Sequence, residues 1–206
     1  MSNEKKDYSF EFVTLGGRVL AGKEVLILYG TRYGSTEGIS EKMAEIMKGN
    51  EVKVDLFNLK STPEREVPAF DQYDGLLIGT GIKVGQWTKE VKEFVKKRKE
   101  GLNLFNAPKG FFVSSGYAAD PEMYEKVKIE YTRDALDKIG VKIDYFDAFG
   151  GLMDFTETSR MSWLDKKILK KAAENDPKID PRGWNDLRDW KQIEKFTLGF
   201  IDLLQD

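Results

Sequence analysis

The segment Glu24–Tyr29 (EVLILY) places apolar residues on consecutive positions, which suits a strand only when both of its faces are covered. A loop rich in Gly, Ser and Thr follows at Gly30–Thr36. Ile39, Met43, Ile46 and Met47 then recur at helical spacing until Gly49-Asn50 stops the helix. The alternation continues. Val52–Leu59 alternates as a second strand. Asp74–Gly79 reads as a third, followed by the loop Thr80–Gly85 and a helix marked by Trp87, Val91, Phe94 and Val95 that extends to Glu100. Gly110–Ser114 is a fourth strand. Asp120 then caps a helix with Pro121 at its first position and Tyr124, Val127, Tyr131, Ala135, Leu136 and Ile139 as its stripe. Val141–Phe149 is a fifth strand. Strands alternating with helices predict an α/β chain with a doubly wound, five-stranded parallel sheet. The order 2-1-3-4-5 fits best, with a ligand crevice beyond the C-terminal ends of strands 1 and 3.

Flanking this pattern, residues 1–22 read as an N-terminal extension, in which Tyr8–Phe12 alternates as an edge strand or belongs to a loose tail. The domain proper is expected over 23–206. Past Gly150-Gly151 the texture changes to an enlarged C-terminal helical segment. Ser162 caps a short helix carrying Leu164, Ile168 and Ala172, Asn175–Leu187 is a loop, and Asp189 with Gln192 three residues on makes a capping-box-like start to a last helix buried through Ile193, Phe196, Phe200 and Leu203/Leu204.

The chain of 206 residues contains no cysteine and no histidine. Disulfides, iron–sulfur clusters, His- or Cys-ligated haem, Cys-rich zinc sites, thiolate nucleophiles and the Ser-His-Asp triad are therefore excluded. Redox chemistry, if present, falls to an organic cofactor. No metal site is expected. The net charge of −2 gives no general reason to bind nucleic acid or an anionic membrane. Local basic clusters, Lys96-Lys97-Arg98-Lys99, Lys166-Lys167 and Lys170-Lys171, read as solvated helix faces but allow peripheral membrane contact or docking on an acidic redox partner. No apolar stretch is long enough to span a membrane, and Met1–Asp7 is polar, so the cytoplasm is the expected compartment.

Three loops are expected at one edge of the sheet. Thr31-Arg32-Tyr33-Gly34-Ser35-Thr36 brings hydroxyls and backbone N–H groups to a helix N-terminus, which suits a phosphate; its plainer reading is a capped strand-to-helix turn. It has neither Walker A nor G-x-G-x-x-G spacing, and no acidic cluster for Mg²⁺ as in a receiver domain. Thr80-Gly81-Ile82-Lys83-Val84-Gly85 lets backbone approach a flat ligand, or is a tight turn. Ser114-Ser115-Gly116-Tyr117 carries Tyr117, the better candidate to stack on a ring; Trp87 is a second candidate or a core residue.

These loops resemble the flavodoxin family over 23–205. The pattern is most similar to the branch containing the menaquinone-dependent protoporphyrinogen dehydrogenases, through Tyr29–Thr36, Ile78–Gly85, Phe94-Val95-Lys96-Lys97 and the tail from Gly150-Gly151-Leu152 to Arg188-Asp189-Trp190. The resemblance implies the flavodoxin-like fold and FMN. Thr31, Arg32, Tyr33, Gly34, Ser35 and Thr36 would hold the phosphate. Thr80, Gly81, Ile82, Lys83, Val84 and Gly85 would line one side of the ring, and Ser114, Ser115, Gly116 and Tyr117 the other. Arg32 and Tyr33 replace the small residues usual in the phosphate loop, and Arg32 either neutralises the phosphate or points to solvent. Lys83 stands where flavodoxins are commonly acidic; its ammonium would favour an anionic reduced flavin, or it is a solvated lysine.

Two main functions, with a third behind them, compete on this fold. The favoured one is a soluble electron carrier between redox proteins, which needs no acid or base of its own. The other is a protoporphyrinogen IX dehydrogenase that passes electrons to a quinone; an NAD(P)H:quinone reductase is a third and weaker reading. No catalytic residue is assigned, because Asp120 and Glu122 read as helix-cap charges. Gly151–Trp190, with Trp163, Trp184 and Trp190, is either a cap beside the flavin or a packing flap.

Overall fold

The computed structural model describes residues 22–143, 145–172 and 179–205. The expected edge strand at Tyr8–Phe12, and nearly all of the N-terminal extension, lie outside the described residues.

Five parallel strands form the expected sheet, in order β2-β1-β3-β4-β5: β1 (Glu24–Gly30), β2 (Lys53–Asn58), β3 (Gly75–Gly81), β4 (Lys109–Ser114) and β5 (Tyr145–Phe149). The unbroken apolar run of β1 has the cause expected of it. Val25 and Ile27 face one core, built with Ile39, Met43 and Met47 of α1 (Ser35–Gly49) and Ile193, Phe196 and Phe200. Leu26 and Leu28 face the other, with Val91, Phe94 and Val95 of α2 (Lys89–Lys97). Both cores are apolar, so a polar residue on either face of β1 would be buried without a partner.

The helices depart from simple periodicity in two places. The second does not run to Glu100. It ends at Lys97, and α3 (Lys99–Leu104) restarts beyond Arg98. The third begins as α4 (Pro121–Lys128), with Asp120 accepting from the Glu122 N–H, passes through a π turn at Ile129–Arg133, and ends as α5 (Asp134–Ile139). Inside the π turn the Tyr131 carbonyl accepts from the Trp87 indole at 2.8 Å. Trp87 is buried against Phe111, with ring centroids 4.6 Å apart. Its core role is thereby decided and ring stacking is removed.

Past β5 the chain adds an unexpected two-stranded antiparallel sheet of β6 (Leu152–Asp154) and β7 (Trp184–Asp186), with α6 (Trp163–Ala172) between them. β7 lies within the stretch read as a loop. The return is close: a Cβ on Gly150 would sit 1.8 Å from the Leu187 carbonyl oxygen, so only glycine fits there. α7 (Trp190–Leu203) closes the fold, its Asp189 cap accepting from the Lys191 and Gln192 N–H groups. The Gln192 side chain does not complete a capping box. It donates to Asp147 and to the Ala148 carbonyl, tying α7 to β5.

Candidate functional site

The sheet register brings the three loops together. Gly30 pairs with Thr80, Gly81 with Ser114, and Ser114 with Phe149, so β1, β3, β4 and β5 end side by side at one edge. A cavity of about 580 Å³ opens there, within the range of small-molecule sites.

The first loop forms part of its lining. The Gly34 N–H donates to Thr31 Oγ1 at 3.0 Å, and Gly34 takes φ +97° as the residue before α1, with no side chain capping the helix. The first N–H groups of α1 therefore have no side-chain cap. Thr36 is fully buried there, and its Oγ1 has no hydrogen-bond partner. A buried hydroxyl without a partner costs about 1–3 kcal/mol, and a polar group reaching it would offset that cost. Gly81 leaves room beside it, since a Cβ there would lie 3.2 Å from Thr36 Oγ1. The Ser35 hydroxyl is 2.7 Å from that of Ser114 and accepts from the Leu152 N–H at 3.1 Å, joining the first loop to β4 and β6.

Arg32 points neither to solvent nor into the cavity alone. Its Nη1 donates to the Gly81 carbonyl at 2.7 Å, and its Nη2 to the Trp87 carbonyl at 2.6 Å. The planar fork therefore fastens the first loop to the second. Lys83 is not a free ammonium either. It pairs with Asp165 of α6 at 2.6 Å and donates to the Tyr33 hydroxyl at 3.0 Å, and Tyr33 donates in turn to Asp165. The hydrogen bonds from Lys83 and Tyr33 hold the Asp165 carboxyl at about 2, below the ordinary 3.8. Asp165 also holds the Lys83 ammonium above its usual range.

Between Lys83 and Gln86 the second loop is a tight hairpin, each N–H donating to the other's carbonyl at 3.0 Å. Val84 and Gly85 at its tip take φ +49° and +67°. A valine in the left-handed region is strained, and Val84 is 87% exposed, so packing does not explain it. Opposite, Tyr117 is 63% exposed at the rim.

Of the expected residues, Thr31, Arg32, Tyr33, Ser35, Thr36, Gly81, Ile82, Lys83, Val84, Gly85, Ser114, Ser115, Gly116 and Tyr117 line the cavity. Gly34 and Thr80 do not. Gly34 sets the turn, and Thr80 is fully buried, its Oγ1 accepting from the Thr88 N–H at 3.0 Å to anchor the start of α2. Sequence reasoning missed an apolar wall of Met153, Met161, Ile168, Leu169 and Ile179 from the C-terminal segment. That segment borders the cavity, but not through the tryptophans: Trp163, Trp184 and Trp190 are outside its lining. Among the described residues no group of three or more acids is placed to hold a metal, and no helix is long and apolar enough to cross a membrane.

The model for the flavodoxin domain matches residues 26–178. The chain belongs to the flavodoxin family. Among curated proteins, protoporphyrinogen IX dehydrogenase [quinone] of Escherichia coli K12 is 27% identical over 175 residues, covering 84% of this chain and 92% of that protein. Among solved structures, oxidised flavodoxin 1 of Bacillus cereus aligns with a TM-score of 0.53 at 14% identity, over 87% of this chain and 98% of that one. A cysteine-to-serine mutant of flavodoxin from Pseudomonas aeruginosa aligns at 0.54 and 14%, over 89% and 99%. These structural likenesses concern the fold. Family membership points to a flavin as the cofactor of this flavodoxin-type crevice.

Proposed function

We propose that the cavity binds FMN and that the protein carries electrons between redox partner proteins. The observation that carries this reading is the buried, partnerless Thr36 hydroxyl beside the uncapped N-terminus of α1, in the lining of an otherwise largely apolar crevice. That is the donor set a phosphate monoester asks for. The loop 31–36 would hold the phosphate. Gly81–Gly85 and Ser114–Tyr117 would flank the ring. FMN, when bound, supplies reversible transfer of one or two electrons.

The protein's own residues then position and insulate. Arg32 fixes the spacing of the two loops. Met161, Leu169 and Ile179 keep water from one side of the crevice. Asp165 neutralises Lys83, so the lysine brings no unpaired charge to the ring loop. The acids at the cavity are already engaged, Asp165 with Lys83 and Tyr33 and Asp120 with the start of α4. A carrier, which needs no proton donor from the protein, is compatible with such a lining.

The second reading is a dehydrogenase that takes electrons from a porphyrinogen and passes them to a quinone. It is favoured by the apolar wall and by the likeness to the Escherichia coli enzyme along most of that protein's length. Anaerobic reduction of the purified protein, followed by reoxidation with a one-electron protein acceptor or with a quinone, tests both. Flavin bands, release of FMN and faster transfer to the protein acceptor support the carrier. Preferential reoxidation by the quinone supports the dehydrogenase. A protein that stays colourless after FMN is added contradicts both.

A further inference from the structure

α6 has a face that none of the described residues covers. Trp163, Leu164, Lys167, Ile168 and Lys171 share one arc of this helix, and Trp163, Leu164 and Ile168 are 75%, 50% and 54% exposed. The other side is engaged. Asp165 meets Lys83, Leu169 lines the cavity, Lys166 donates to the Thr156 carbonyl, and the Lys170 ammonium lies 5.5 Å from the centroid of the Phe155 ring. Ile168 reaches from the exposed arc to the cavity rim.

The charge on this helix runs against that of the chain. Its ten residues hold four lysines and one acid, in a chain of net charge −2, and that acid is neutralised inward by Lys83. An indole and two branched aliphatic side chains interleaved with outward lysines match a surface that offers anionic charge and, just beneath it, an apolar layer. A protein surface would have to present an apolar patch with acids spaced to meet Lys167 and Lys171, a specific match to all five side chains. An anionic bilayer complements both sets within one shallow depth.

We propose that α6 is a docking helix that lies in the interface of an anionic lipid bilayer, with Trp163, Leu164 and Ile168 inserted and Lys167 and Lys171 among the headgroups. The ten residues of the helix are too few to span, so the attachment is peripheral and reversible. Docking by α6 brings the cavity wall at Ile168 and Leu169 next to the bilayer. The proposal does not depend on what the cavity holds.

Sedimentation of the full chain with vesicles of phosphatidylcholine, alone or mixed with phosphatidylglycerol, tests it. The wild type should bind only the mixed vesicles and should dissociate as salt rises. Lys167→Glu with Lys171→Glu should weaken that binding at least about tenfold, and Trp163→Ser should weaken it measurably. Lys60→Glu with Lys126→Glu, the same charge change elsewhere, should leave it within about twofold. Circular dichroism identical to wild type verifies that each variant is folded. Equal binding to both vesicle types overturns the proposal. So does an α6 lysine variant that binds like wild type, a Trp163→Ser variant without effect, an equal loss in the control pair, or retention by an acidic protein without vesicle binding.

Discussion

Lys83 and Asp165 form a 2.6 Å ion pair that joins the loop after β3 to helix α6, and the Tyr33 hydroxyl bonds to both. Three segments far apart in sequence, the first loop, the second loop and the C-terminal segment, therefore meet at one carboxylate.

Replacing Asp165 with Asn should loosen this junction. Lys83 is 39% exposed and Asp165 13%, so solvent screening limits the loss to about 1 kcal/mol. Limited proteolysis should cut the segment bearing α6 faster than in wild type. The pH dependence has a fixed sign. The carboxyl is held at about 2 against an ordinary 3.8, so its contribution is complete above about pH 4 and is lost as pH falls toward about 2. Asp165→Asn should flatten that part of the acid-unfolding curve.

Thr36→Val keeps the shape of the side chain and removes only its partnerless hydroxyl. The cofactor-free protein should be as stable as wild type or slightly more so, read by urea unfolding. FMN affinity should fall about tenfold or more, measured by fluorescence titration. A variant that loses stability but keeps its affinity would make the hydroxyl structural.

Arg32→Lys preserves charge but cannot span the carbonyls of Gly81 and Trp87 with one planar fork. Urea unfolding should show a loss of about 2 kcal/mol. Hydrogen exchange at Ile82–Thr88 should quicken, while α7 keeps its protection.

Val84→Gly relieves a positive φ at an exposed tip that contributes no packing. It should stabilise the protein by about 0.5–1 kcal/mol in thermal unfolding, the strain relieved exceeding the entropy cost of glycine. A fall in FMN affinity or electron-transfer rate in the same variant would tie the strain to function.

What could be read in advance follows from the physics of each signal. β1, β3 and β4 were legible because strands covered on both faces admit few polar positions, and their order then places three loops at one edge. The loops carried their own chemistry in Gly, Ser and Thr. Trp87 stayed ambiguous because periodicity does not say whether an indole meets a ring or a Tyr131 carbonyl. Arg32 and Lys83 were legible as cations but not as clamps, since their partners are backbone oxygens and a distant aspartate. β7 is three residues long, too short for an alternating pattern. The apolar wall was hidden because Met153, Met161, Leu169 and Ile179 come from separate stretches. A signal was present in Leu169, which adds to Leu164 and Ile168 more apolar surface than a solvated helix requires.

The most direct measurement is a calorimetric titration of the cofactor-free protein with FMN and, separately, with riboflavin, which lacks only the phosphate. One FMN should bind per chain, and riboflavin should bind more weakly by about a hundredfold or more, because the loop 31–36 carries much of the affinity. Equal affinity for the two, or no binding of either, would contradict a phosphate-anchored FMN site.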